Sequence, residues 1–252
     1  MSLMMQKTWR RVGSFDESLP TSLIDALWPD PTTVLEGGEV LRQSASRRTA
    51  QFRWDDGRYV IKHYREASLR HAAKRGIQRS RASGTWENAR RIAEAGILTP
   101  QPVALVERRL GPLRGASWFV YRYIEGETLG DCLAPRRTVA TARLEQLGAM
   151  FAQLWRRLVA QQISLDDAHL GNFIVSPTGQ LWLIDIDKIR FHRFRAAANR
   201  RSRLAWEQLV GSVVFSGTNA ERFLREVIHR LELAEVAAAK RMVRARRVAL
   251  DG

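Results

Sequence analysis

Residues 166–187, DDAHLGNFIVSPTGQLWLIDID, set two apolar runs, Phe173-Ile174-Val175 and Leu181-Trp182-Leu183-Ile184, on either side of SPTGQ. Short apolar, strand-like runs separated by Ser, Pro, Thr and Gly predict a β-hairpin. Both open ends of this hairpin carry acidic or amide side chains. A hairpin brings its ends together, so Asn172 at the start of one strand can meet Asp185 at the end of the other. Ionised carboxylates are costly to bury unpaired and persist where a cation or chemistry compensates.

The residue types at that rim point to one kind of chemistry. An amide oxygen and a carboxylate are hard ligands suited to Mg²⁺, which keeps several waters and takes few protein groups besides phosphate oxygens. Asp167, five residues before Asn172 and on the loop, can accept a proton from an attacking hydroxyl. This division of labour is that of a kinase-type catalytic loop.

The rest of the chain has a recognisable order. SLIDALW predicts a short helix closed by Pro29 and Pro31 within an otherwise irregular stretch over residues 1–33. VLEGGEVLRQ places a Gly37-Gly38 turn between short apolar runs. TAQFRW-DDG-RYVIKHY predicts two strands joined at Asp56-Gly57. A long helical region follows, which GTWENARRIAEAG closes with Gly96 as C-cap. ILTPQPVALVE and SWFVYRYIEG predict two more strands. From residue 138 to 161, apolar side chains at 144, 147, 151, 154, 155 and 158 have a helical period. Residues 203–248 predict mostly helix. A strand-rich half of about 125 residues is thus joined to a mainly helical half that carries the hairpin, an α+β pattern.

Lys62 lies in the apolar strand YVIKHY, where a Lys is ordinarily a solvated outward residue. A phosphoryl-transfer reading instead makes it the cation for the nucleotide phosphates, oriented by a helix carboxylate, Glu87 or else Glu94. The same reading wants a small-residue turn before the hairpin, where Gly37-Gly38 stands.

On RRTAQFRWDDGRYVIKHY, WENARRIAEAGILTPQPVALVE, VYRYIEGETL, DDAHLGNFIV and LWLIDIDKIR, which span about residues 47–190 in matching order, the chain resembles the protein-kinase-like superfamily. Within it, the chain is similar to the bacterial lipopolysaccharide-core kinases that phosphorylate heptose or 3-deoxy-octulosonic acid (Kdo). The resemblance implies a bilobal fold, with an N-lobe over residues 1–125 and a helical C-lobe over 126–252. It implies use of ATP and Mg²⁺, with Lys62 on the phosphates, Glu87 holding Lys62, and Gly37-Gly38 as a reduced glycine loop. Arg122, Tyr123 and Ile124 would form the hinge that pairs with adenine. Asp167 would be the catalytic base and Asn172 and Asp185 the metal ligands. Leu165-Asp166 replaces the His or Gly often found before the base, which leaves Asp166 as an alternative; the five-residue offset to Asn172 favours Asp167. Asp185-Ile-Asp187 stands where Asp-Phe-Gly is usual, so Asp187 is a second ligand, a salt-bridge partner or part of the acceptor site. His169 is expected to be structural.

Charge bears on the second substrate. Forty-one Lys and Arg against 26 acids give a net charge of +15, which fits an anionic partner or a genome that uses Arg freely. Lys188, Arg190, Arg193, Arg195, Arg200, Arg201 and Arg203 follow the metal-site Asp, where a kinase lines its acceptor site, so Lys188, Arg190, Arg193 and Arg195 are expected to hold an anionic core sugar or glycolipid. A second basic cluster runs from Arg65 to Arg81. The helix end Lys240–Arg247 is expected either to rest on anionic lipid or to be a solvated face. Kinases of the aminoglycoside or choline type fit the loop but not this charge, since pockets for cationic acceptors carry carboxylates. A non-catalytic kinase fold is a further alternative. Nucleic-acid binding fits the charge alone, without interleaved aromatics or a recognised motif. One cysteine, Cys132, excludes an intrachain disulfide and any multi-cysteine zinc site. With no apolar run of signal-peptide or spanning length, the expectation is a cytoplasmic protein with peripheral contact at the inner face of the inner membrane.

Overall fold

The alternating runs RRTAQFRW and GRYVIKHY form neighbouring strands of a seven-stranded antiparallel sheet. The computed structural model describes residues 3–65, 79–110, 113–213 and 218–231. These fall into two compact units, one drawn from Met1–Ala93 and Pro100–Ile124, the other from Glu94–Thr99 and Glu125–Gly252. The architecture is α+β. Residues 94–99, read from the sequence as part of the first half, belong to the second unit.

The first unit runs β1 (Leu3–Thr8), β2 (Arg11–Asp16), α1 (Thr21–Leu27), α2 (Pro31–Glu36), β3 (Glu39–Gln43), β4 (Arg47–Trp54), β5 (Gly57–Tyr64), α3 (Arg81–Glu94), β6 (Pro102–Leu110) and β7 (Leu113–Arg122). The strands lie in the order β1-β2-β6-β7-β5-β4-β3. The stretch expected to be irregular therefore contributes a hairpin, with Leu3 opposite Asp16 and Thr8 opposite Arg11, and β2 continues the sheet beside β6. The β4–β5 turn is Asp55-Asp56, with Trp54 opposite Gly57, one residue earlier than the Asp-Gly signal indicates. Asp55 takes the left-handed conformation there, at φ 48°.

Gly37 and Gly38 do not form a turn between two strands. Asp30 caps α2 by accepting from the Thr32 N–H at 3.0 Å, and Pro31 opens the helix, so the chain is helical up to Glu36. Gly37 ends that helix and lines a groove of about 440 Å³ with Ala26, Thr33, Phe52 and Trp54. Gly38 is small because a Cβ there would stand 2.8 Å from the Gln51 carbonyl of β4.

Both faces of the central strands are covered, while β1 and β3 at the edges stay largely exposed. Side chains of a strand alternate, so Ala50, Phe52, Tyr59, Ile61, Trp118 and Val120 point one way and join Phe15, Leu23, Leu27 and Leu35 in a single core. Burying each large side chain there contributes roughly 1.5–3 kcal/mol. Helix α3 packs on the other face, where Trp86 stands edge-on to Phe119 at 6.4 Å and Tyr64 shares a hydrogen bond with Thr85 at 3.2 Å.

His63 lies on β5 with its ring stacked 4.8 Å from Trp118. Burial, then repulsion from Arg65 and Arg108, outweigh the attraction of Asp30 and lower its pKa from 6.5 to about 4. The unfolded chain therefore binds a proton that the folded chain refuses between those two values. Stability should fall as pH drops from 6.5 through about 4, by on the order of 1–2 kcal/mol once solvent screening is allowed for. Denaturant midpoints measured across that window should decline in the wild type and stay flatter in His63→Phe; parallel curves would discard this account.

The second unit runs β8 (Glu127–Thr128), α4 (Leu129–Cys132), α5 (Thr141–Ala160), β9 (Ile163–Leu165), β10 (Phe173–Val175), β11 (Leu181–Leu183), β12 (Ile189–Phe191), α6 (Arg195–Val213) and α7 (Thr218–Arg230). Its core gathers Phe151 against Phe173 at 4.9 Å and Phe223 at 5.6 Å, and Trp155 against Trp206 at 5.3 Å. Trp182 is only half-buried, because it alternates away from Leu181 and Leu183 on β11. Residues 94–99 are tied to β11: the Leu98 carbonyl accepts from the Leu183 N–H, and the Thr99 hydroxyl donates to the Leu183 carbonyl, both at 2.9 Å. The C-terminal helical stretch starts at Arg195, eight residues earlier than its apolar period indicates, so much of the basic run is helical. Arg70, Lys74 and Arg75 of the second basic cluster and the Lys240–Arg247 segment lie outside the described residues. Among the described residues, no helix is long and apolar enough to cross a membrane.

Candidate active site

In the second unit, β9 pairs antiparallel with β12, Leu165 opposite Ile189. This pairing, which the sequence did not announce, carries the Asp166 N–H to the Lys188 carbonyl at 2.9 Å. The two acidic residues that follow β9 therefore stand beside the basic residues that open β12. Their partners differ. Asp166 receives Arg190 Nε through a short contact and Arg201 Nη1 at 3.9 Å, and only 20% of its side chain is exposed. Asp167 receives Lys188 Nζ at 3.1 Å and Gln208 Nε2 at 3.5 Å.

The loop then tightens into a 3₁₀ turn over Leu170–Asn172, with the Asn172 N–H on the His169 carbonyl at 3.0 Å. Asn172 is 5% exposed, and its Nδ2 donates to the Asp167 carbonyl at 2.7 Å. That bond fixes the backbone of Asp167 and leaves Oδ1 as the amide atom able to meet a cation. The hairpin forms as its composition implies, Phe173 opposite Leu183 and Val175 opposite Leu181. At its open end the Ile184 N–H bonds the Asn172 carbonyl at 2.8 Å, which sets Asp185 next to Asn172 at the rim.

Asp185 adopts φ 54°, ψ 52°, and a 3₁₀ turn over Ile186–Lys188 begins immediately after it. A non-glycine residue in this region is strained by about 1 kcal/mol or more, although Asp and Asn tolerate it best. One carboxylate and one amide make a hard, sparse donor set that fits Mg²⁺ better than Zn²⁺ or Ca²⁺. Among the described residues no group of three or more His, Cys, Asp or Glu gathers into a metal cage.

In the first unit, Lys62 is 5% exposed and so is not a solvated outward residue. It lies opposite Phe119 on the face that α3 covers, with Nζ 5.8 Å from the centre of the Tyr121 ring. Glu87 belongs to that same helix and is half-buried, next to Trp86. Gly37 lines the groove on the opposite face of the sheet, with Phe52 and Trp54. It therefore does not share a face with Lys62. Of the expected hinge, the Arg122 N–H donates to Gln101 O at 3.1 Å and the Tyr123 N–H to Arg58 O at 2.9 Å. Arg58 also stacks on the Tyr123 ring at 4.0 Å. Asp187 is half-buried in the turn after Asp185, and Arg193 and Arg195 are exposed.

Sequence reasoning missed Gln208, and it placed Arg201 only in the basic run, without its pairing to Asp166. Both come from α6, about forty residues from the loop they hold, and no local spacing links them to it. It also grouped Lys188 and Arg190 with the acceptor-facing cations, whereas both engage the carboxylates of the loop itself.

Residues 26–227 match the model of the lipopolysaccharide kinase (Kdo/WaaP) family, a span that contains Lys62, Glu87, Asp167, Asn172 and Asp185. A curated relative from Xylella fastidiosa (strain M12), a 3-deoxy-D-manno-octulosonic acid kinase, is 29% identical over 163 residues, covering 62% of this chain. The chain spans 59% of that relative's length in the match. With four-fifths of its residues inside the family match, the chain belongs to the lipopolysaccharide kinase (Kdo/WaaP) family.

Proposed function

We propose that this protein is an ATP-dependent kinase that phosphorylates a hydroxyl of Kdo in the lipopolysaccharide core, on a protein-kinase-like fold. The observation that carries the reading is the Asn172 bond to the Asp167 carbonyl at 2.7 Å. It couples a proton-accepting carboxylate to an amide that shares the hairpin rim with Asp185. The name of the Xylella relative supports Kdo over heptose, as does the exposed basic segment, since Kdo is itself an acid.

In the second unit, Asp167 takes the proton of the attacking hydroxyl as the oxygen–phosphorus bond forms and the bond to the leaving ADP oxygen breaks. Asn172 and Asp185 would hold Mg²⁺, which neutralises charge on the phosphate oxygens when bound. In the first unit, Lys62 would meet the nucleotide phosphates, with Glu87 of the covering helix orienting it. The phosphate-covering turn is assigned to Ser44–Ser46, between β3 and β4, where the Ser44 N–H bonds the Arg47 carbonyl at 2.7 Å. With the N–H groups of Arg122 and Tyr123 engaged in the sheet, the adenine-facing donor moves to Ile124 or the residue after it. The acceptor is an anionic glycolipid, so the enzyme would work at the membrane surface.

The test is turnover of ATP with purified Kdo-bearing core acceptor and with heptose-only acceptor, the product read by mass spectrometry for one added phosphate. No phosphorylated product from either would overturn the reading. Arg193 and Arg195 are the cations left to face the acceptor. Neutralising both should raise the acceptor KM by about three- to tenfold with the ATP KM unchanged, and added salt should mimic the substitution because exposed charges are screened. An acceptor KM indifferent to both would make the segment a solvated face.

A further inference from the structure

We propose that Lys188 is a catalytic cation that changes partner during the reaction, pairing with Asp167 before transfer and with the transferred phosphoryl group after it. The inference rests on the kinase reading above. Lys188 Nζ lies 3.1 Å from Asp167 Oδ2, on the carboxylate that would receive the hydroxyl proton. Its backbone is held by the Asp166 N–H on its carbonyl at 2.9 Å and by the β9–β12 pairing that begins at the next residue. Its side chain is nevertheless 61% exposed, so the ammonium swings on a four-carbon stem from a fixed base. Arg190 differs, because it and Arg201 are both engaged with the less exposed Asp166.

The charge balance of the step favours the exchange. Before transfer, the Asp167 carboxylate balances Lys188. As the acceptor O–H proton passes to Asp167, that carboxylate becomes neutral and its hold on the ammonium is lost. In the same step phosphorus leaves the ADP oxygen and bonds the acceptor oxygen, placing three anionic oxygens beside the newly neutral Asp167. The Lys188 ammonium then has its better partner on the product side. Gln208 has no charge to lose: its Nε2 holds Asp167 Oδ1 at 3.5 Å while its Oε1 accepts from the Ala168 N–H at 3.3 Å. It keeps the carboxylate oriented when Lys188 departs, as a positioning residue.

An interaction that strengthens toward the transition state appears in kcat and not in substrate binding. Lys188→Met should therefore lower kcat about a hundredfold, the scale of one lost charge-stabilising donor, with the acceptor and ATP KM nearly unchanged and the melting temperature retained. Lys188→Arg should recover part of that loss. The decisive measurement is binding of the purified phosphorylated acceptor, the reaction product. Lys188→Met should weaken product binding about tenfold. Asp167→Asn, which frees the ammonium in advance, should tighten it, and the tightening should vanish in the Asp167→Asn/Lys188→Met double variant. Raised acceptor KM with kcat preserved in Lys188→Met would overturn the proposal in favour of acceptor binding. Product binding indifferent to Lys188 would overturn it as well. Failure of the wild type to phosphorylate any core acceptor would instead remove the kinase reading, and this inference with it.

Discussion

Asp185→Asn is expected to reduce phosphoryl transfer at least about a thousandfold, roughly 4 kcal/mol of transition-state stabilisation. Asn is the informative replacement because it keeps the size of Asp185 and tolerates its left-handed backbone at φ 54°. Asp185→Ala would combine loss of the carboxylate with backbone strain, and a fall in activity could then come from either. With Asn the circular dichroism spectrum and melting temperature should match the wild type, and added Mg²⁺ should not restore the rate. Turnover near the wild-type level would remove Asp185 from the metal site. Asp187→Ala should have a milder effect; the reverse order would mean that the second carboxylate of the pair is the ligand.

Asp167→Asn should lower kcat by about a hundred- to ten-thousandfold, the range for loss of a positioned general base. Asp166→Asn should act differently, because Asp166 is the one held by two arginines. Its loss should loosen the β9–β12 region and lower the melting temperature, with a smaller fall in kcat. If the two variants exchange these phenotypes, the acceptor hydroxyl faces Asp166 and the assignment of the base is wrong. Nothing in the order of residues 166 and 167 separates them as firmly as their partners do.

What was legible in the sequence was local. The hairpin from Phe173 to Leu183 and the helix over Thr141–Ala160 follow from side-chain period and turn chemistry within twenty residues or so. Lys62, in an apolar strand, and Asp167, Asn172 and Asp185, at hairpin rims, stand out because their type contradicts their neighbours. The features that escaped are non-local or depend on what packs where. β9 and β12 are three residues each and lie more than twenty residues apart, too short for a periodic signal. Gly37-Gly38 resembled a turn, and only the Asp30 cap and Pro31 show why a helix precedes it. β1 and β2 carry few β-branched residues and take their stability from pairing with β6 and from Phe15 in the core. The helix start at Arg195 was hidden by arginines that carry no hydrophobic period.

The β1–β2 hairpin has a consequence for where this protein can be cut. The family match begins at residue 26, inside α1, so a fragment drawn to that boundary would look like a complete module. It would not be a self-sufficient one. Phe15 is fully buried and packs edge-on to Trp28 at 6.3 Å, and a Cβ at Gly13 would run into both rings. Trimming to that boundary would take Phe15, Leu19, Leu23 and Ile24 out of the core, each loss costing about 2–5 kcal/mol, and would bare the hydrogen-bonding edge of β6, a template for association with other chains. The family match and the folding unit therefore have different borders in this protein. A hairpin that lies outside the matched span is expected to be a condition of that span's solubility.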